Sequence, residues 1–154
     1  MINRTRTLPD VPKKSSYDLL RERLRIDQND LDNELIEHPV LLEKVALAHV
    51  LSTSTRDGQK EYLSHIQGRL SDNARATLEA SGKKATVGQV DNALAEDPEW
   101  QAERSKFLEL CKDSDRWFAL KEAFQARGYA LHNIAQIYVA RTKAEGGVYE
   151  RDMQ

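Results

Sequence analysis

No proline follows Pro98, and from Phe107 to Tyr138 the chain keeps a three-four spacing: Phe107, Leu110, Ser114, Trp117, Lys121, Phe124, Gly128, Leu131, Ala135 and Tyr138. The spacing holds for roughly four and a half heptads and lines one stripe of a helix, with flaws at Ser114, Lys121 and Gly128. Asp97 suits an N-cap and Pro98 a first helical position. These signals predict a helix over 98–144, closed by Gly146-Gly147, long enough to enter a bundle or coiled coil. A chain that makes such a helix must find another element of similar length to cover its stripe.

That element is predicted over 40–80. Pro39 can open it, and Leu41, Leu42, Val45 and Ala48 begin a helical pattern. The polar stretch 52–58 is weakly helical, so the segment reads either as one long helix or as two with a turn near Gly58. The absence of proline there favours one helix. The i, i+4 series Tyr62, Ile66, Leu70, Ala74 and Leu78 then resumes the period, and Gly82 is a candidate C′ residue. Upstream, Ser16 caps a predicted helix over 16–26, and Asp27-Gln28-Asn29-Asp30 introduces another over 29–38 that breaks at His38-Pro39. Thr86 and Gln89 fit a capping box for a short helix over 86–95. The expected fold is all-α, an elongated helical hairpin or bundle. Its two long helices run antiparallel because the 81–97 connection reverses the chain. Residues 1–15, with Pro9 and Pro12, read as a flexible arm, 16–145 as one helical domain and 146–154 as a frayed tail.

Composition supports this. Aromatics are 6% and charged residues 31% of 154 residues, with four prolines and seven glycines, a poor mix for a sandwich or barrel. The mean hydropathy of −0.67 and the lack of a long apolar run predict no membrane span. The N-terminus shows no secretory signal. A single cysteine, Cys111, excludes a disulfide framework and a cysteine-based zinc site.

Catalytic chemistry finds little footing. His38, His49, His65 and His132 include no pair at ligand spacing. Phosphate-loop, dinucleotide and nucleophile-elbow motifs are missing. Cys111 reads as a small hydrophobe. The acidic group Asp27, Asp30, Asp32 and Glu34 lacks the glycine and spacing of a calcium loop, and reads as capping plus a solvated face. No catalytic residue, metal ligand or cofactor is expected.

Binding chemistry is more informative. The net charge is −2, yet residues 1–16 sum to +3 and 56–84 to +2. The second segment holds Lys60, Arg69 and Arg75 beside the apolar series, and Lys83-Lys84 at the following turn. Long cations there can meet a phosphate backbone while the stripe packs inward, although such charges are more often only solubilising. Tyr62 is the sole aromatic in the segment, so contacts would be to backbone and independent of sequence. Gly128 inside a helix suggests close approach of another helix, or else a local helix end. Because 40–80 is matched in length by roughly 98–128, Leu131, Ile134, Ile137 and Tyr138 are predicted to face solvent in a monomer. With Gly128 they form a candidate oligomerisation seam in an assembly helix over 128–145.

Three stretches carry a family resemblance. Leu24-Arg25-Ile26-Asp27, then Leu31 and Glu34, matches an "I-D-x-x-x-L" opening. Lys84-Ala85-Thr86-Val87 precedes an acidic short helix. Trp117 is followed by Ala126-Arg127-Gly128-Tyr129-Ala130-Leu131 and Ile134, similar to a "W…(S/A)-R-G-(F/Y)-A-I" helix. In this order, across most of 17–140, the chain resembles the UvsY-type recombination mediator proteins of tailed phages. The family's L-K-A-R element has no clean counterpart, Gly68-Arg69-Leu70 and Gln59-Lys60-Glu61 being the nearest. The resemblance implies a non-enzymatic protein of the host bacterial cytoplasm that binds single-stranded DNA through its central basic helix. It also implies ring-like homo-oligomers formed through the C-terminal helix, and loading of a RecA-like recombinase in place of single-strand-binding protein. The alternative is a self-assembling structural or adaptor protein of a phage with no nucleic-acid role.

Overall fold

A computed structural model describes the backbone of residues 15–151 and the side chains as far as residue 144. The predicted arm lies outside the described residues except for Ser15, as does the end of the predicted tail. The elements are α1 (Ser16–Glu22), α2 (Leu31–Ala80), α3 (Val87–Glu96) and α4 (Pro98–Arg151), with no strand among the described residues. The all-α expectation and the two long antiparallel helices hold.

Each boundary has a local cause. At α1 the cap is Ser15, one residue earlier than expected, its hydroxyl oxygen accepting from the Asp18 amide at 3.2 Å. The helix stops at Glu22 because the next residues are drawn into a turn. The Asp27 carboxylate accepts from the Asn29 amide at 2.9 Å, and Glu34 accepts from the Asp27 amide at 2.9 Å. The capping residues of α3 and α4 behave as expected. Gln89 accepts from the Thr86 amide at 3.3 Å, and Asp97 accepts from the amides of Glu99 and Trp100 at 2.9 and 3.1 Å. Gly82 ends α2 with φ of 71°.

Two expected breaks are absent. The helices anticipated over 29–38 and 40–80 are one, running straight through Pro39. An interior proline costs about 3 kcal/mol, and packing on both sides of it opposes the break. His38 stacks on Phe124 of α4, and Leu41 and Leu42 lie against the Val45, Leu120 and Phe124 cluster. The polar stretch also stays helical. Ser52 and Thr55 return their hydroxyls to the carbonyls of His49 and Leu51, and Thr53 reaches Ser114 of α4 at 3.1 Å. At the far end, Gly146 and Gly147 do not stop α4, which continues to Arg151. A glycine stops a helix by turning left-handed, and among the described residues only Gly82 does so.

The register of the hairpin follows from its contacts. Glu34 meets Arg127, Thr53 meets Ser114, Gln59 meets Glu103 and Arg69 meets Glu99. Carried back to Leu31, this register places the start of α2 near Leu131. The core is thin: Tyr17 and Leu20 of α1, with Leu24 just after it, pack on Val45, Leu120 and Phe124, while α3 packs against both long helices and buries Val90 and Leu94.

Candidate nucleic-acid and assembly surfaces

The five basic residues singled out above share one half of the hairpin but not one role. Arg69 crosses to Glu99 at 2.6 Å, and that hydrogen bond holds its guanidinium above the usual range. Arg75 sits 3.5 Å from Asp72 on its own helix. Lys60, Lys83 and Lys84 are exposed and have no ion pair among the described residues. Lys60 lies on α2 roughly 30 Å before its end, and the other two follow the Gly82 turn, so the free lysines are strung along the hairpin. They form a track of separate cations, and between Lys60 and the turn α2 and α3 enclose a groove of about 360 Å³ lined by Leu70, Ala74, Leu78 and Leu94. Such a track can follow a phosphate chain without reading bases.

The candidate seam divides. Leu131, expected to face solvent, is 1% exposed and belongs to this chain's own core. The hairpin is longer than foreseen because α2 starts at Leu31, so it covers one more turn of α4. Gly128 also turns inward. A Cβ there would lie 2.6 Å from Nε2 of His38, so the glycine admits a side chain of this chain's own α2. Ile134 is half-buried. Ile137 and Tyr138 are exposed, as is Val139, and every residue from Gln136 to Ala144 is exposed. Among the described residues, the unpartnered part of α4 thus begins about one turn beyond Leu131.

Between these regions lies a cluster of residues far apart in sequence, Glu34, His38 and Arg127. The Arg127 side chain is 2% exposed and pairs with Glu34, whose side chain is 12% exposed. Arg127 Nη1 also lies 3.0 Å from His38 Nδ1. A guanidinium only donates, so Nδ1 accepts, and the neutral ring carries its proton on Nε2, the atom facing Gly128. Burial lowers the His38 pKa from its ordinary 6.5, the Arg127 charge adds to this, and Glu34 opposes it. Arg127 Nε is buried with no hydrogen-bond partner. The signals were present as Glu34 and His38 one turn apart on one helix face, and as an arginine beside an in-helix glycine. Their union depended on α2 passing through Pro39. The cluster pins the first two turns of α2 to α4 and so sets where the overhang of α4 begins.

No group of histidine, cysteine and acidic side chains placed to hold a metal occurs among the described residues, and no helix among them is long and apolar enough to cross a membrane. Comparison with protein-family models, with curated proteins and with solved structures finds no match to this chain.

Proposed function

We propose that this chain is a non-enzymatic recombination mediator of the UvsY type, acting in the cytoplasm of a phage-infected bacterium. It self-assembles, binds single-stranded DNA along its backbone, and helps a RecA-like recombinase replace single-strand-binding protein. The observation that carries the reading is the separation of two surfaces. Free lysines, Lys60, Lys83 and Lys84, lie along α2 and its closing turn, while the unpartnered apolar stretch of α4 projects from the opposite end of the hairpin. Assembly through one end leaves the other free. Repeating a weak cationic track in every subunit raises its avidity for one strand by effective concentration. The acidic balance of the rest of the chain limits non-specific clamping on nucleic acid. The ordered resemblance spans the same elements: α3 follows Lys84, and the Arg127-Gly128 helix carries the overhang.

The test is a loading assay. On single strands precoated with single-strand-binding protein, adding this chain is expected to shorten the lag in DNA-dependent ATP hydrolysis by a RecA-like recombinase. An unchanged lag, with the chain bound to the DNA, counts against the mediator role. The pairing of Arg69 and Arg75 with acidic neighbours favours the second reading, a self-assembling phage structural or adaptor protein. That reading predicts assembly without any salt-sensitive DNA binding.

A further inference from the structure

Two apolar surfaces of this chain have no partner among the described residues, and they match each other. The first is the overhang of α4 beyond Ala135, whose described side chains, 136–144, span about 14 Å of helix at 1.5 Å per residue. It carries Ile137 and Tyr138, 54% and 68% exposed, and the cations Arg141 and Lys143. The second lies on the face of α2 turned away from α4, where Ile36, Val40, Leu47 and Val50 recur at helical spacing, each at least half exposed. Extended to Leu51, this stripe is about 24 Å long, enough to receive them. Glu43 stands at its centre, exposed and without an ion pair among the described residues.

At one end of the stripe Ile36, Val40 and Leu41 floor a groove of about 420 Å³, rimmed by Arg23, Glu37 and Lys44. An apolar floor with a charged rim suits a tyrosine, which has an apolar ring and a polar tip. The charges also complement each other: among the described side chains the overhang carries two cations and no carboxylate, while Glu43 stands within the stripe and Lys44 at its flank.

We infer that the overhang of α4 in one copy docks on the outer α2 stripe of a second copy. It cannot fold back onto its own stripe, because α4 is one continuous helix leading away from the hairpin. The contact is therefore head-to-tail, using two different surfaces, and such contacts propagate into rings or filaments. This rests on the self-assembly half of the proposed function and deepens it by naming the receiving surface. It does not depend on DNA.

The experiment uses two full-length variants with complementary defects. Leu47→Glu with Val50→Glu spoils the stripe and leaves the overhang. Ile137→Glu with Tyr138→Glu spoils the overhang and leaves the stripe. All four positions are more than half exposed, so each variant should keep the wild-type circular dichroism spectrum. By light scattering without DNA, the wild type is expected to be a multimer and each variant alone a monomer. An equimolar mixture is expected to give a species of twice the monomer mass and no larger, because each heterodimer keeps one spoiled stripe and one spoiled overhang. Wild-type assembly by the stripe variant overturns the inference: the overhangs then pair with each other, or residues 1–14 cover the stripe. A mixture that stays monomeric, or a monomeric wild type, overturns it as well. Heterodimers that form normally while the full chain ignores DNA would sink the mediator reading and leave this one standing.

Discussion

Replacing Gly128 with alanine sets two effects against each other, and the structure decides between them. Alanine is favoured over glycine inside a helix by about 1 kcal/mol. The added Cβ, however, would sit 2.6 Å from His38 Nε2, and the three nearest atoms are all in that ring. The ring cannot swing away freely. Its Nδ1 accepts from Arg127 at 3.0 Å, and its face lies against Phe124 with centroids 6.4 Å apart. Overpacking of this kind costs about 1–3 kcal/mol. Moving the ring also takes an acceptor from Arg127, whose Nε already lacks one, and a hydrogen bond to a charged group contributes about 1.5–3 kcal/mol. The net expectation for Gly128→Ala is a loss of about 1.5–5 kcal/mol, or roughly 3 °C in Tm per kcal/mol for a chain of this size. In a His38→Ala background the obstruction is gone, and the same substitution should stabilise by up to about 1 kcal/mol. Urea denaturation followed by circular dichroism, at one protein concentration throughout, reads both arms. Stabilisation in the wild type, or destabilisation in the His38→Ala background, would refute the reasoning.

Two further predictions concern the same cluster. Because the folded state lowers the His38 pKa, it favours the neutral ring. The stabilisation is full above the ordinary value of 6.5 and is lost as pH falls through 6.5 toward the lowered folded value. The difference between denaturation midpoints measured above and below 6.5 should be smaller for His38→Asn than for the wild type. Arg127→Met strands the largely buried Glu34 carboxylate and should cost about 3–5 kcal/mol. Adding Glu34→Gln should recover part of that loss, and denaturation of the single and double variants reads the recovery.

The sequence was most legible where local signals agreed. Asp97-Pro98, Thr86 with Gln89, and Gly82 each mark a boundary through bonds made within a turn or two, and each boundary is found where those residues stand. The error at Pro39 comes from tertiary packing overruling a local stop signal, whereas at Gly146-Gly147 the helix runs on because neither glycine turns left-handed. Pro39 is a breaker by propensity, but His38, Leu41 and Leu42 are held on α4 and carry the helix through it. That added length moved Leu131 from the expected seam into the core and turned Gly128 toward His38. The site was legible only as composition. Basic residues of 56–84 could be named, yet which of them remain free depended on Glu99 lying across from Arg69, a contact between residues thirty apart in sequence.

Single-strand binding is the central claim, and a fluorescence anisotropy titration of a short oligonucleotide at two salt concentrations tests it most directly. Each phosphate contact on a single strand adds about 0.7 to the slope of log affinity against log salt. Substituting Lys60, Lys83 and Lys84 together with alanine in a folded protein should weaken binding and reduce the slope by about 2 per subunit, while Arg69→Ala, whose charge already faces Glu99, should change it little. A wild-type chain that does not bind the oligonucleotide, or a triple variant with unchanged affinity and slope, contradicts the account.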